Sequence, residues 1–284
     1  MKFVIVCGMV SSNKQIARLI ELGIINMNKD FNVVKVTNDL IDWIREYFQK
    51  NGPTCNAIIG ISGGKDSTVC AGLLVEALGK DRVIGVTMPN GFQDDIDDSI
   101  KVTNFLGIRR INVNIYDTYR ALMNGVEDGL YGIGFKREVS ENTKINMPPR
   151  LRMTTLFAVS QTLNGRVVNT CNLSEEWVGY STLFGDGVGQ FSPLGLLTVE
   201  EVIAIGDYIG LPRDLVHKKP SDGLCGKSDE DNLGFKYSDL DKYLNTGEVD
   251  GDTKEIIDTK HRLNRFKHMP MPTFNPNIKR ALEF

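Results

Sequence analysis

The chain has 284 residues, of which 41% are hydrophobic and 24% charged, and a formal net charge of −3 at pH 7. This composition builds an ordinary buried core, as one large α/β domain or one domain with an appendage. The acidic balance, with a sequence pI of about 5.7, argues against broad nucleic-acid or anionic-membrane binding, both of which need a basic face. No apolar run approaches a membrane span, and the opening MKFVIVCGMV is too short and too poorly flanked for a secretory signal. The five cysteines, Cys7, Cys55, Cys70, Cys171 and Cys225, are odd in number, scattered and without a C-x-x-C pair. They read as reduced thiols of a cytoplasmic protein rather than as a disulfide framework or a zinc site.

In chain order, residues 1–36 carry no assignable chemistry and read as an extension, with residues 37–284 as the main domain. A helix is expected from Asn38, capped by Asn38 or Asp39. Leu40, Ile41, Trp43, Ile44, Tyr47 and Phe48 lie on its buried face, and Asn51-Gly52-Pro53 ends it. An apolar run, Ala57 to Ile61, then breaks into Ser62-Gly63-Gly64-Lys65-Asp66-Ser67 and resumes with helical spacing. That is a strand, a tight glycine turn and a helix N-terminus. Paired glycines let backbone approach a ligand closely, and the helix start directs N–H groups and its positive dipole end at the turn. Ser62 and Ser67 add hydroxyls, Lys65 a cation, and Asp66 a ligand for a hard metal ion. The alternative is a plain strand-to-helix turn with serine caps. It is weakened by the fixed order of serine, two glycines, aspartate and serine.

Further strands are expected over Arg82–Met88, Ile111–Ile115 and Arg166–Thr170, alternating with helices. The alternation specifies a doubly wound, open parallel sheet flanked by helices. Asp94, Asp95, Asp97 and Asp98 form either a metal site or, the favoured reading, the acidic first turn of a helix to about Leu106. The glycine-rich segment Tyr116–Asn146 reads as a helix with a flexible connection ending at Pro148-Pro149, after which Arg150 opens a helix through Leu163. Another helix is expected over Val199–Ile209. The stretch from Lys218 to Phe235 is either a solvated loop or a lid over bound nucleotide.

SGGKDS resembles the signature of the pyrophosphate-loop ATPases, which cleave ATP between the α and β phosphates. With the downstream motifs, the chain resembles the ammonia-dependent NAD synthetases over residues 38–276. Asn146-x-x-x-Arg150-x-Arg152-Met153, Asn169-Thr170-Cys171-Asn172-Leu173-Ser174-Glu175, Gly185-Asp186-Gly187, the Lys218–Phe235 stretch and Phe266-Lys267-His268 follow one another as in that family. The resemblance implies an adenine nucleotide alpha hydrolase-like fold. It also implies ATP-dependent amidation of nicotinic acid adenine dinucleotide to NAD through an acyl adenylate, with release of AMP and pyrophosphate. Carried over by position, ATP would meet Gly60, Ser62, Gly63, Gly64, Lys65, Asp66, Ser67, Thr170 and Ser221. Arg150 and Lys267 would touch the dinucleotide. Mg²⁺ would be held by Asp66 and Glu175, although Glu175 is equally placed to cap a helix. Asp186 would orient or deprotonate ammonium, or else simply hold its Gly-Asp-Gly turn.

The resemblance further implies a homodimer with its substrate site at the interface, and no nucleic-acid or membrane partner. About 60 residues precede the ATP loop, too few for the amidase domain of glutamine-dependent members, so free ammonia is the expected donor. Four positions depart from the family pattern: Thr87, Leu183, Gln190 and Val199 stand where charged residues are usual. A variant subgroup using other lysines, such as Lys65, Lys218 or Lys219, is the favoured explanation. The competing readings are a tRNA-modifying ATPase, disfavoured by the acidic pI, and a nucleotide-binding protein that has lost catalysis.

Overall fold

The computed structural model describes residues 28–93, 96–218 and 229–276. Four parallel strands form its sheet: β1 (Asn56–Gly60), β2 (Val83–Thr87), β3 (Arg109–Asn112) and β4 (Gly165–Val167), in the order β3-β2-β1-β4. Ala57 pairs with Val83 on one side of β1 and with Arg166 on the other. The order therefore reverses between β1 and β4, and such a switch point leaves a crevice beyond the strands' carboxyl ends.

The central strand is buried on both faces, and its alternation sorts the core. Ala57, Ile59 and Ile61 face a cluster built with α1 (Val33–Asn51), α2 (Lys65–Leu78) and α7 (Val199–Tyr208). Ile58 faces the other way, toward Ile84, Val86 and Met88, against Leu151, Leu156 and Val159 of α5 (Glu141–Thr162). Helices thus cover both faces, as a parallel sheet requires. A third cluster, with Val199, Leu233, Tyr237, Leu240 and Ile257, joins α6 (Leu173–Val178), α7, α8 (Asp229–Leu233), α9 (Tyr237–Thr246) and α10 (Gly251–Asn264).

Several boundaries differ from expectation. α1 starts at Val33, because the Asn32 side chain accepts from Lys35 N–H and the 2% exposed Val33 belongs to the core. Ile41, Ile44 and Phe48 are buried, but Trp43 is 44% exposed at the rim of the stripe, 6.1 Å from the Tyr47 ring. β3 lies upstream of the most apolar residues, since this edge strand is largely open to solvent and tolerates two arginines. The glycine-rich segment forms α4 (Tyr116–Gly132), and Pro148 and Pro149 lie inside α5 rather than before it. The Ser140 side chain accepts from Thr143 N–H and caps α5 two turns ahead of the prolines. Both prolines are buried, so packing offsets the lost backbone bonds. Asp97 and Asp98 occupy the first turn of α3 (Ile96–Leu106), as the helical reading expects, whereas Asp94 and Asp95 lie outside the described residues.

Candidate active site

A cavity of about 340 Å³ opens at the switch point. Gly60 ends β1 at its floor, and Ser62, Gly64, Asp66 and Ser67 form the adjoining wall. The loop is drawn tight from within: the Ser62 and Ser67 hydroxyls lie 3.1 Å apart, Gly64 N–H donates to Ser62 Oγ at 3.2 Å, and Ser67 Oγ–H donates to Gly64 O at 3.2 Å. Gly63 takes φ +80°, and a Cβ there would lie 2.7 Å from Asp98 Cβ, so only glycine fits between the loop and α3. Gly64 caps α2 without any side-chain hydrogen bond. The N–H groups at the start of α2 are thereby free of a side-chain cap and can receive an anion.

Asp66 and Glu175 converge across 106–109 residues of sequence through Asn172. Its Nδ2 donates to Asp66 Oδ1 at 3.0 Å, and its Oδ1 accepts from Glu175 N–H at 3.1 Å. Glu175 returns a bond to Asn172 N–H, completing a capping box on α6. The two readings of Glu175 are therefore compatible, because one carboxyl caps the helix and lines the cavity beside Asp66. Burial, and next the Asp66 charge, push its pKa up to about 8 against the pull of Lys65. A pair of enclosed carboxylates is the donor set of a hard divalent cation. No group of three or more His, Cys, Asp or Glu side chains gathers at metal-binding distance among the described residues. Phosphate oxygens and water would complete such a shell.

Asp186 lines the cavity, and its Oδ1 accepts from Thr182 N–H at 2.7 Å, so it also holds its own turn. The surrounding protein raises its pKa, against the Thr182 bond and the attraction of Lys267 and Arg152. An exposed face on this residue tempers that push. Thr170 lies in the wall beyond β4. Ser221 lies outside the described residues.

The two cations expected to meet substrate are used otherwise. Arg150 Nε donates to Leu183 O at 3.2 Å, while Lys267 Nζ donates to Gly179 O at 2.6 Å and to Ser181 O at 2.8 Å. Neither lines the cavity; both grip the backbone of the loop that carries Asp186. The cationic lining comes instead from Lys65, Arg152 and Lys218. Arg152 Nε donates to Met88 O, and Lys218 Nζ pairs with Asp98 at 2.6 Å. Sequence reasoning passed over Arg152, two residues beyond Arg150 in the same motif, and Asp229, which stood unassigned in the Lys218–Phe235 stretch. Asp229 is 6% exposed, lines the cavity and accepts from the Tyr180 hydroxyl at 3.3 Å. Ser99, 1% exposed with an unpartnered hydroxyl, also belongs to the wall.

The departing positions are absorbed by the fold. Gln190 Oε1 accepts from Val167 N–H at 2.8 Å, standing in for a strand partner of β4. Val199 is core. Thr87 donates to Asn112 Oδ1 at 2.8 Å and receives the Arg110 guanidinium at 3.4 Å.

A family model described as NAD synthase matches residues 36–270. The chain belongs to the NAD synthase family. It is 35% identical to an NH(3)-dependent NAD(+) synthetase of Alkaliphilus metalliredigens over 246 residues, covering 84% of this chain and 96% of that protein. The corresponding Carboxydothermus hydrogenoformans protein is 36% identical over 231 residues, covering 81% and 91%. Among solved structures, NMN synthetase from Francisella tularensis superposes with a TM-score of 0.78 at 30% identity, over 88% of this chain and all of that one. An NH3-dependent NAD synthetase from Campylobacter jejuni has a TM-score of 0.70 at 22% identity, over 86% of this chain and 100% of that one. The fold is that of these enzymes, adenine nucleotide alpha hydrolase-like, and the family places the chain among ATP-dependent ligases of NAD synthesis.

Proposed function

We propose that this chain amidates nicotinic acid adenine dinucleotide with ammonia, at the cost of ATP cleavage to AMP and pyrophosphate. The observation that carries this reading is the meeting of an uncapped helix start, a serine–glycine loop and the Asp66–Glu175 pair in one cavity. The α2 N-terminus and the loop hydroxyls bind the phosphates. The nicotinate carboxylate attacks the α-phosphorus, the α–β anhydride breaks, and pyrophosphate leaves with the bonding pair. Ammonia then attacks the acyl carbon of the adenylate, and the bond to AMP oxygen breaks. Asp186 takes the proton released from nitrogen, a role that its raised pKa favours. Asp66 and Glu175 would hold Mg²⁺, which supplies charge neutralisation on the phosphate oxygens. The remaining contribution is positioning, to which Arg152 and Lys218 contribute as cations lining the cavity.

A second reading concerns the acceptor. The usual charges are absent at Thr87, Gln190 and Val199, whose side chains serve the fold. The same amidation performed on the mononucleotide would yield NMN, the product named for the Francisella neighbour. We also propose that the chain acts as a homodimer. Leu122 and Val126, one turn apart on α4, and Ile133 just beyond it are 38–71% exposed, an apolar strip that suits a second copy.

Purified protein with ATP, Mg²⁺ and ammonium tests these readings when each nicotinate nucleotide is offered separately and AMP and amide product are followed together. We expect equal yields of AMP and NAD from the dinucleotide, and a fall of about a thousandfold or more in Asp66→Ala. Preferred turnover of the mononucleotide would select the second reading. Nucleotide binding with neither product would identify a lapsed enzyme.

A further inference from the structure

Lys65 has an unusual place for a residue in a phosphate loop. It opens α2, is 4% exposed, and its Nζ lies 2.8 Å from Asp66 Oδ2. The carboxyls of Glu175 and Asp229 act on the same ammonium from two other elements. The Tyr237 ring lies on a further side, its centroid 5.7 Å from Nζ. A lysine that hooks a phosphate from solvent has no need of this enclosure. Burying an ammonium is costly unless acids compensate it, so the lysine and the acids stabilise one another.

We propose that Lys65 is a positioning residue, a built-in counter-cation that fixes the Asp66 carboxylate for the metal and competes with that metal, rather than a phosphate contact. The inference rests on the reading in which Asp66 and Glu175 hold Mg²⁺. With Lys65 on Oδ2 and Asn172 Nδ2 on Oδ1, both Asp66 oxygens are fixed in the ligand-free protein. An arriving divalent cation meets an ammonium already on one of them, and repulsion between the two weakens its binding. Lys65 therefore stabilises the empty site and lowers its affinity for metal.

The test is a MgCl₂ series followed by thermal denaturation, with α,β-methylene ATP, which cannot be cleaved between the α and β phosphates. Lys65→Met keeps the length and removes the charge, while Lys65→Arg keeps the charge. In EDTA, Lys65→Met should melt below the wild type. As Mg²⁺ is added it should recover, with half-maximal stabilisation at a concentration about tenfold lower than for the wild type. Lys65→Arg should follow the wild type. An unchanged Mg²⁺ midpoint in Lys65→Met would overturn the proposal. So would loss of nucleotide binding at saturating Mg²⁺, which would make Lys65 a phosphate contact. Should Lys65→Met not fold, Lys65→Met/Asp229→Asn removes one charge of each sign and is measured in the same way. Absence of Mg²⁺ stabilisation in the wild type, matched by Asp66→Asn, would overturn the metal reading itself.

Discussion

Two loops border the cavity, and they are built by opposite means. The loop 62–67 is held by its own hydroxyls and glycines, and its polar groups face the ligand space. The loop 179–186 is held from outside, by Arg150 of α5 and by Lys267 near the chain's end, each donating to its backbone carbonyls. The first loop can be written as a contiguous motif because each part answers a neighbour. The second needs charges brought from 33 and 88 residues away. A cation that stands at a site position in sequence can therefore serve the site through the backbone that it supports.

The largest effect is expected at the acid pair beside the first loop. An ordinary glutamate has a pKa near 4.5, and Glu175 is pushed up to about 8. Between these values the folded protein holds a proton that the unfolded chain has released. Stability of the metal-free protein should therefore fall as pH rises through that window, by up to about 1.4 kcal/mol per unit. Below about pH 4.5 both states are protonated and the dependence on this group vanishes. Denaturation of the wild type and of Glu175→Gln in EDTA, from pH 5 to 8, should give curves that diverge with pH, with the flatter one belonging to the glutamine variant. Parallel curves would mean that the carboxyl is already ionised and the pair already compensated.

The glycines of the same loop sharpen the contrast between support and ligand space. Gly63→Ala must place a Cβ at φ +80°, 2.7 Å from Asp98 Cβ and 2.9 Å from Ser99 N, so the loop and α3 must part. We expect a loss of about 2–3 kcal/mol in chemical denaturation. At Gly64 a Cβ would meet only Ser62 Oγ, at 3.3 Å, and φ is −85°. Gly64→Ala should therefore keep wild-type stability within about 0.5 kcal/mol while weakening ATP binding, because the added methyl stands where phosphate approaches. Equal destabilisation by both would show that the loop is set by its fold alone.

The same distinction explains what was legible in the sequence. The conformation of the serine–glycine loop and its sheet could be read because local conformation and chemistry coincide in a few adjacent residues, and the structure brings Asp66 and Glu175 together beside that loop. The uses of Arg150 and Lys267 could not, since a backbone carbonyl has no signature and its partner is fixed only by tertiary packing. Gln190 looked like a lost charge, whereas its side chain completes the hydrogen bonding of β4. Val199 looked like a lost lysine and is a core residue. The prolines of α5 looked like a boundary, because burial that offsets two missing N–H bonds is not a local property. Asn32 was overlooked as a cap because the stripe seemed to start later, and Val33 reaches the core one turn earlier.

The smallest effect separates support from contact in the second loop. Lys267→Met removes two charge-assisted bonds to Gly179 O and Ser181 O, and Arg150→Met removes one to Leu183 O. Each bond to a charged group contributes about 1.5–3 kcal/mol net when buried, and solvent access to Lys267 and Arg150 reduces their shares. Thermal denaturation without any ligand should show Lys267→Met losing about 2 kcal/mol and Arg150→Met about half of that. The double variant should lose less than the sum if the loop is a single cooperative unit, because releasing one grip already weakens the other. Activity should fall through displacement of Asp186, so kcat should drop with KM for the nicotinate nucleotide nearly unchanged. A direct substrate contact would reverse the pattern, raising KM while leaving the ligand-free melting temperature unmoved. If that were observed, the carbonyls of Gly179 and Ser181 would be a resting place for a side chain that moves to the ligand, and the two loops would differ less than their hydrogen bonds suggest.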